Sequence, residues 1–87
     1  MAVSLLRTSN IVSLEFATED RGRVKTALRE LFGKIEVARH VTWACVTVDG
    51  EDFTFQNEWD DPCLITSTSK GAEMLTAVAA HLGHTPT

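Results

Sequence analysis

The sequence predicts a two-layer α+β domain in which a mixed sheet of four or five strands carries two helices on one face. Three observations indicate this class: alternating apolar residues around an Asp49-Gly50 turn, two amphipathic segments with helix caps, and a length of 87 residues. The predicted order is one strand, one helix, three or four strands and a second helix. Residues 1–87 therefore form a single domain, with flexible ends expected at about 1–8 and 84–87.

The hairpin over residues 41–56 determines which side chains face the core. Asp49-Gly50 accepts the positive φ angles of a tight turn. An even number of loop residues makes one face apolar, with Ala44, Val46, Val48, Phe53 and Phe55. An odd loop with a bulge would instead turn Trp43 and Cys45 toward that side. We favour the even loop because it separates an apolar face from a hydroxyl-bearing one, and we expect Trp43 on the face away from the helices.

The first strand and the first helix are predicted between residues 10 and 33. Alternation over 10–16 indicates a strand whose Val12 side faces the core. Thr18 is a suitable N-cap, so the helix is expected to begin there, and Gly33 is suited to end it. The apolar stripe of this helix consists of residues 24, 27, 28, 31 and 32.

The remaining elements follow from short apolar runs and turn residues. Residues 34–39 alternate as a strand, 57–62 are rich in turn formers, and 63–66 read as a last strand. Residues 67–69 offer three N-caps for a helix over about 70–82. The buried stripe of that helix is expected to contain Leu75, Val78 and Leu82, with Met74 and Ala79 beside it.

Charge is distributed unevenly along the chain, although the net charge is only −4. Six of the eight basic residues lie between 21 and 39, and six of the twelve acidic residues lie between 49 and 61, so we expect two ends of opposite sign. Arg21, Lys25 and Arg29 are four apart and form a basic row. Its predicted place is the solvated side of the helix; the alternative is a row that binds an anion or a partner.

Several classes of function lack their signatures. Negative net charge argues against nucleic-acid binding, and no apolar run is long enough for a membrane span. The two cysteines do not form a disulfide framework or a zinc pattern, and the amino-terminal segment does not resemble a signal peptide, so we expect a reduced cytoplasmic protein. Scattered glycines and isolated histidines predict no cofactor and no metal site.

These features favour a non-enzymatic protein-interaction or regulatory domain that uses its acidic region or its exposed sheet face. The expected partner is a protein of basic charge, and a homodimer through the face around Trp43 is a second expectation. The candidate partner-binding residues are Trp43, Asp49, Glu51, Asp52, Glu58, Trp59, Asp60 and Asp61. Trp59 has an alternative place against the core beside Phe55. The rival hypothesis is a small enzyme that uses Cys45 or His40 with nearby carboxylates.

Overall fold

A computed structural model describes residues 3–8, 10–56 and 62–83. In chain order these form two strands, a short 3-10 helix, a helix, four strands and a second helix. The strands are β1 (Val3–Arg7), β2 (Val12–Phe16), β3 (Ile35–Arg39), β4 (Trp43–Val48), β5 (Glu51–Gln56) and β6 (Cys63–Thr66). The 3-10 helix is Thr18–Asp20, and the α-helices are α1 (Arg21–Phe32) and α2 (Ser69–His81).

The six strands form one sheet in the order β1-β2-β6-β5-β4-β3, and every described pairing is antiparallel. The α+β class is confirmed, but the prediction of a mixed sheet of four or five strands is wrong in both respects. The additional strand is β1, whose residues were expected to belong to a flexible end. Three strands lie between β2 and β3, so α1 connects strands that are far apart in the sheet.

The predicted hairpin register is confirmed. Asp49 and Gly50 have φ angles of 51° and 77°, so both central residues of the turn adopt the positive φ of a type I′ turn. Phe53 lies opposite Val46, and Trp43 lies opposite Gln56 on the other face. The loop therefore contains two residues, and the resulting register places the apolar residues on one face of the hairpin and the hydroxyl-bearing residues on the other.

The helices lie close to their predicted positions, but the first begins differently. Thr18 does not cap α1, because residues 18–20 form the 3-10 helix and the N–H of Asp20 donates to the carbonyl of Ala17. At the carboxyl end Gly33 has a φ of 95°, as predicted for a helix terminus. For α2 the N-cap is Thr68, whose hydroxyl accepts the N–H of Gly71.

One core lies between the sheet and the two helices. The buried faces of β2, β4, β5 and β6 meet the buried residues of both helices in a single apolar cluster. Its fully enclosed side chains include Leu14, Val48, Phe53, Leu75 and Val78. Both helices therefore cover the same face, as predicted. In the described part of the chain, neither helix combines the length and the apolar character needed to cross a bilayer.

Candidate functional site

An open groove runs between α1 and the part of the sheet that ends at β3. Its volume is about 180 Å³, and it is mostly apolar. The sheet supplies Phe16, Ile35, Val37, Arg39, Ala44, Val46, Phe55 and Leu64, and the helix supplies Arg21, Gly22, Val24, Lys25 and Leu28.

The groove exists because α1 covers the edge of the sheet incompletely. Val37 and Arg39 lie opposite Val46 and Ala44, so their side chains are on the helix-covered face. Nevertheless 46% of Val37 is exposed. An apolar side chain on the inner face of a sheet is normally covered, so this strand presents apolar surface that the described residues do not bury.

Three cations border the groove. Arg21 and Lys25 are one helical turn apart on α1, and Arg39 extends from β3. The guanidinium carbon of Arg21 lies 5.2 Å from the ring centroid of Phe55, a cation–π distance. Among the described residues no carboxylate lies within 4.0 Å of any of these three cations. The groove therefore combines an apolar floor with positive charge that has no described counter-ion.

The described acidic candidates instead have local partners around the β4–β5 turn. The Lys70 ammonium donates to the backbone carbonyl of Asp49 and lies 3.9 Å from the Asp49 carboxylate. Glu51 accepts from the Thr68 hydroxyl, and Asp52 accepts from the Thr47 hydroxyl. Glu51 lies opposite Val48 and Asp52 lies opposite Thr47, so the two carboxylates point to different faces of the sheet. The bonds of Asp49 and Glu51 connect the turn to the start of α2.

Trp43 lies at the other end of β4 from this turn, on the face that neither helix covers. It is 42% exposed, and its ring stacks on that of His40 with centroids 4.0 Å apart. Cys45 is half-buried on the same face, opposite Ala38 and Thr54. Alternation thus brings Cys45, Trp43 and His40 to one face, while the described carboxylates of the hairpin lie at the far end.

Other candidates fall outside the described residues: Glu58, Trp59, Asp60 and Asp61. Within the described ranges, no group of three or more His, Cys, Asp or Glu side chains is arranged to hold a metal ion. Val37 and Arg39 were not predicted as site residues. The basic row was the available signal, because it contains Arg21 and Lys25, but nothing local indicated that β3 would lie across from it.

The chain matches no protein family model, and no curated protein or solved structure is significantly similar to it.

Proposed function

We propose that this domain is a non-enzymatic interaction module that binds an acidic, partly apolar segment of another protein in the groove between α1 and β3. The observation that carries the proposal is the apolar groove bordered by Arg21, Lys25 and Arg39 without a described carboxylate. Apolar contact supplies affinity, and the cations select an acidic sequence and speed its approach.

The dimensions of the groove favour a polypeptide segment over a small molecule. Pockets that enclose a drug-sized ligand usually hold roughly 300–1,000 Å³. This groove is smaller and lies open beside β3, where Val37 is exposed. A shallow apolar surface of this kind takes one or two anchoring side chains, while the rest of the segment lies along the protein.

The proposed partner is acidic, whereas the acidic stretch of the sequence alone indicated a basic partner. Support for an acidic partner comes from the carboxylates of Glu51 and Asp52, which accept hydrogen bonds within the domain, and from that of Asp49, which lies 3.9 Å from the Lys70 ammonium. Binding of a basic partner through this region would compete with those bonds. Arg21 and Lys25 have no such described competitor.

The proposal is tested by selecting peptides from a random-sequence display library on the wild-type domain and measuring their affinities for two charge-reversal variants. Arg21→Glu places a carboxylate at the groove, whereas Arg29→Glu makes the same change on the same helix at a residue that does not line it. Selected peptides should combine acidic and apolar residues. Arg21→Glu should weaken their binding about tenfold or more, since an attraction becomes a repulsion, and Arg29→Glu should change it less than about twofold.

Circular dichroism melts of both variants serve as the control that each is folded. Selected peptides that lack acidic residues, or equal effects of the two substitutions, would contradict the proposal. The binding should also weaken as salt is raised, because the charges involved are exposed to solvent.

A further inference from the structure

We propose that the acidic segment binds as an added strand, antiparallel to β3, so that the partner extends the sheet at this edge. This inference rests on the proposed function and specifies its geometry. Strand addition beside a groove combines main-chain hydrogen bonds with pockets for alternate side chains. β3 is the last strand of the sheet, and the groove lies along it.

The alternation of hydrogen bonds between β3 and β4 shows which backbone groups of β3 can bond to an added strand. At the β3–β4 turn the N–H of His40 donates to the carbonyl of Trp43 at 2.8 Å, so these two residues form a hydrogen-bonded pair. Such pairs alternate along an antiparallel ladder. With the observed register, Ala38 and Glu36 are therefore the next residues bonded to β4.

The intervening residues Ile35, Val37 and Arg39 direct their N–H and C=O groups away from β4, toward the open edge. No described backbone group bonds to them outside the strand ladder. The same three residues have side chains on the groove side. An added strand would therefore form hydrogen bonds with the residues whose side chains also line the groove.

The opposite edge of the sheet differs. β1 also ends the sheet, but α2 packs against it and the Arg7 side chain donates to the Thr76 hydroxyl of α2 at 3.0 Å. The concavity beside Arg7 includes Glu73, whose charge repels an acidic strand. Of the two edges of the described sheet, the β3 edge is therefore the one that combines outward backbone groups with an apolar groove bordered by three cations.

Side chains directly opposite in an antiparallel pair share a face, so β3 predicts the pattern of its partner. A carboxylate belongs opposite Arg39, and apolar residues belong opposite Val37 and Ile35. The partner segment should therefore have the sequence pattern acidic-x-apolar-x-apolar from its amino end, where x is any residue. An inward-pointing charge such as Arg39 also discourages pairing with unrelated strands. Arg39 thus selects for a strand that carries a carboxylate at this position.

The probe is the peptide acetyl-Ser-Glu-Thr-Val-Thr-Ile-Ser-amide, followed by amide NMR of the labelled full-length domain. Its valine, opposite Val37, should exchange two backbone hydrogen bonds with that residue. The amide protons of Ile35, Val37 and Arg39 should shift downfield and become protected from exchange, whereas those of Glu36 and Ala38 are already bonded to β4. In the free domain, the amide protons of Ile35, Val37 and Arg39 should exchange with solvent quickly, and those of Glu36 and Ala38 should exchange slowly.

Two N-methylated peptides provide a matched pair. Methylating the valine nitrogen removes a donor that points at β3 and should weaken binding about tenfold or more. Methylating the nitrogen of the threonine before it alters a group that points away from β3 and should leave the affinity within about twofold. The reversed sequence, which sets its carboxylate opposite Ile35 in the antiparallel orientation, should bind more weakly.

The outcomes separate the two proposals. Binding that depends on Arg21 but is equal for the two N-methylated peptides would overturn strand addition and leave the groove proposal standing. Tighter binding of the reversed peptide would overturn the antiparallel orientation. If this peptide shifts no groove residue at about 1 mM, where a dissociation constant of about 1 mM would be detected, the predicted strand pattern is overturned. If the library-selected peptides also shift no groove residue, the proposed function itself is overturned.

Discussion

The two halves of the helix-covered sheet face differ in how completely they are filled. Where α2 packs, Leu14 and Phe53 of the sheet and Leu75 of the helix are almost fully enclosed. Beside α1, Val37 is nearly half exposed although it is on the same face. One half of this face is therefore closely packed, whereas α1 leaves the other half as an open groove. The filled half stabilises the fold, and the incompletely covered half is where we propose that the partner binds.

The largest expected difference between the halves is in stability. Phe53→Ala should lower the free energy of unfolding by about 3–5 kcal/mol, because Phe53 is only 1% exposed and its loss leaves a cavity. Val37→Ala should cost less than about 1 kcal/mol, since its side chain is already in contact with solvent. Urea denaturation measures both. Similar losses for the two variants would mean that the halves are equally packed.

Two helical glycines, Gly71 in α2 and Gly22 in α1, test how tightly each helix packs. A Cβ on Gly71 would clash with the side chains of Thr66 and Thr68, so Gly71→Ala should destabilise the domain by about 1–3 kcal/mol. A Cβ on Gly22, beside the groove, would meet nothing within 4 Å. Gly22→Ala should therefore stabilise the domain by up to about 1 kcal/mol, because alanine is the better helix former. Thermal melts that show the same sign for both would refute this difference in packing.

The cap of α2 should have an effect of intermediate size. The Thr68 hydroxyl accepts from the Gly71 N–H and donates to Glu51, which connects the helix to the β4–β5 turn. Thr68→Ala should cost about 1 kcal/mol, while Thr68→Ser, which keeps the hydroxyl, should cost much less. If serine and alanine are equally destabilising in denaturant titrations, the hydroxyl bonds do not contribute.

The smallest expected effect is on the fluorescence of Trp43, which lies on the face that neither helix covers. In a Trp59→Phe variant Trp43 is the only indole, and acrylamide should quench it readily at the lowest protein concentration, since it is 42% exposed. Any dimer over this face should protect Trp43 and should survive 1 M salt, where the screening length falls from about 10 Å at 0.1 M to about 3 Å. Sedimentation in which a dimer dissociates at 1 M would instead indicate a charged interface.

Short-range features were the predictable part of this protein. The φ preferences of Asp49 and Gly50, with alternation on both sides, were enough to predict the observed pairing of Val46 with Phe53. The predicted stripe of α2 is also buried, apart from Leu82, which is half-buried. By contrast β1, with the adjacent Leu5 and Leu6, has little alternation. It becomes recognisable as a strand only through its pairing with β2.

The hairpin, the approximate extents of both helices and the segregation of basic from acidic residues were predictable from the sequence, because each depends on neighbours within a few positions. Three properties emerged only from the folded chain: the described strand pairs are all antiparallel, β3 is an edge, and Arg39 faces the same groove as Arg21. These properties depend on strand order, which is set by how residues distant in the chain bury apolar area together. No local pattern encodes the gap that α1 leaves beside β3.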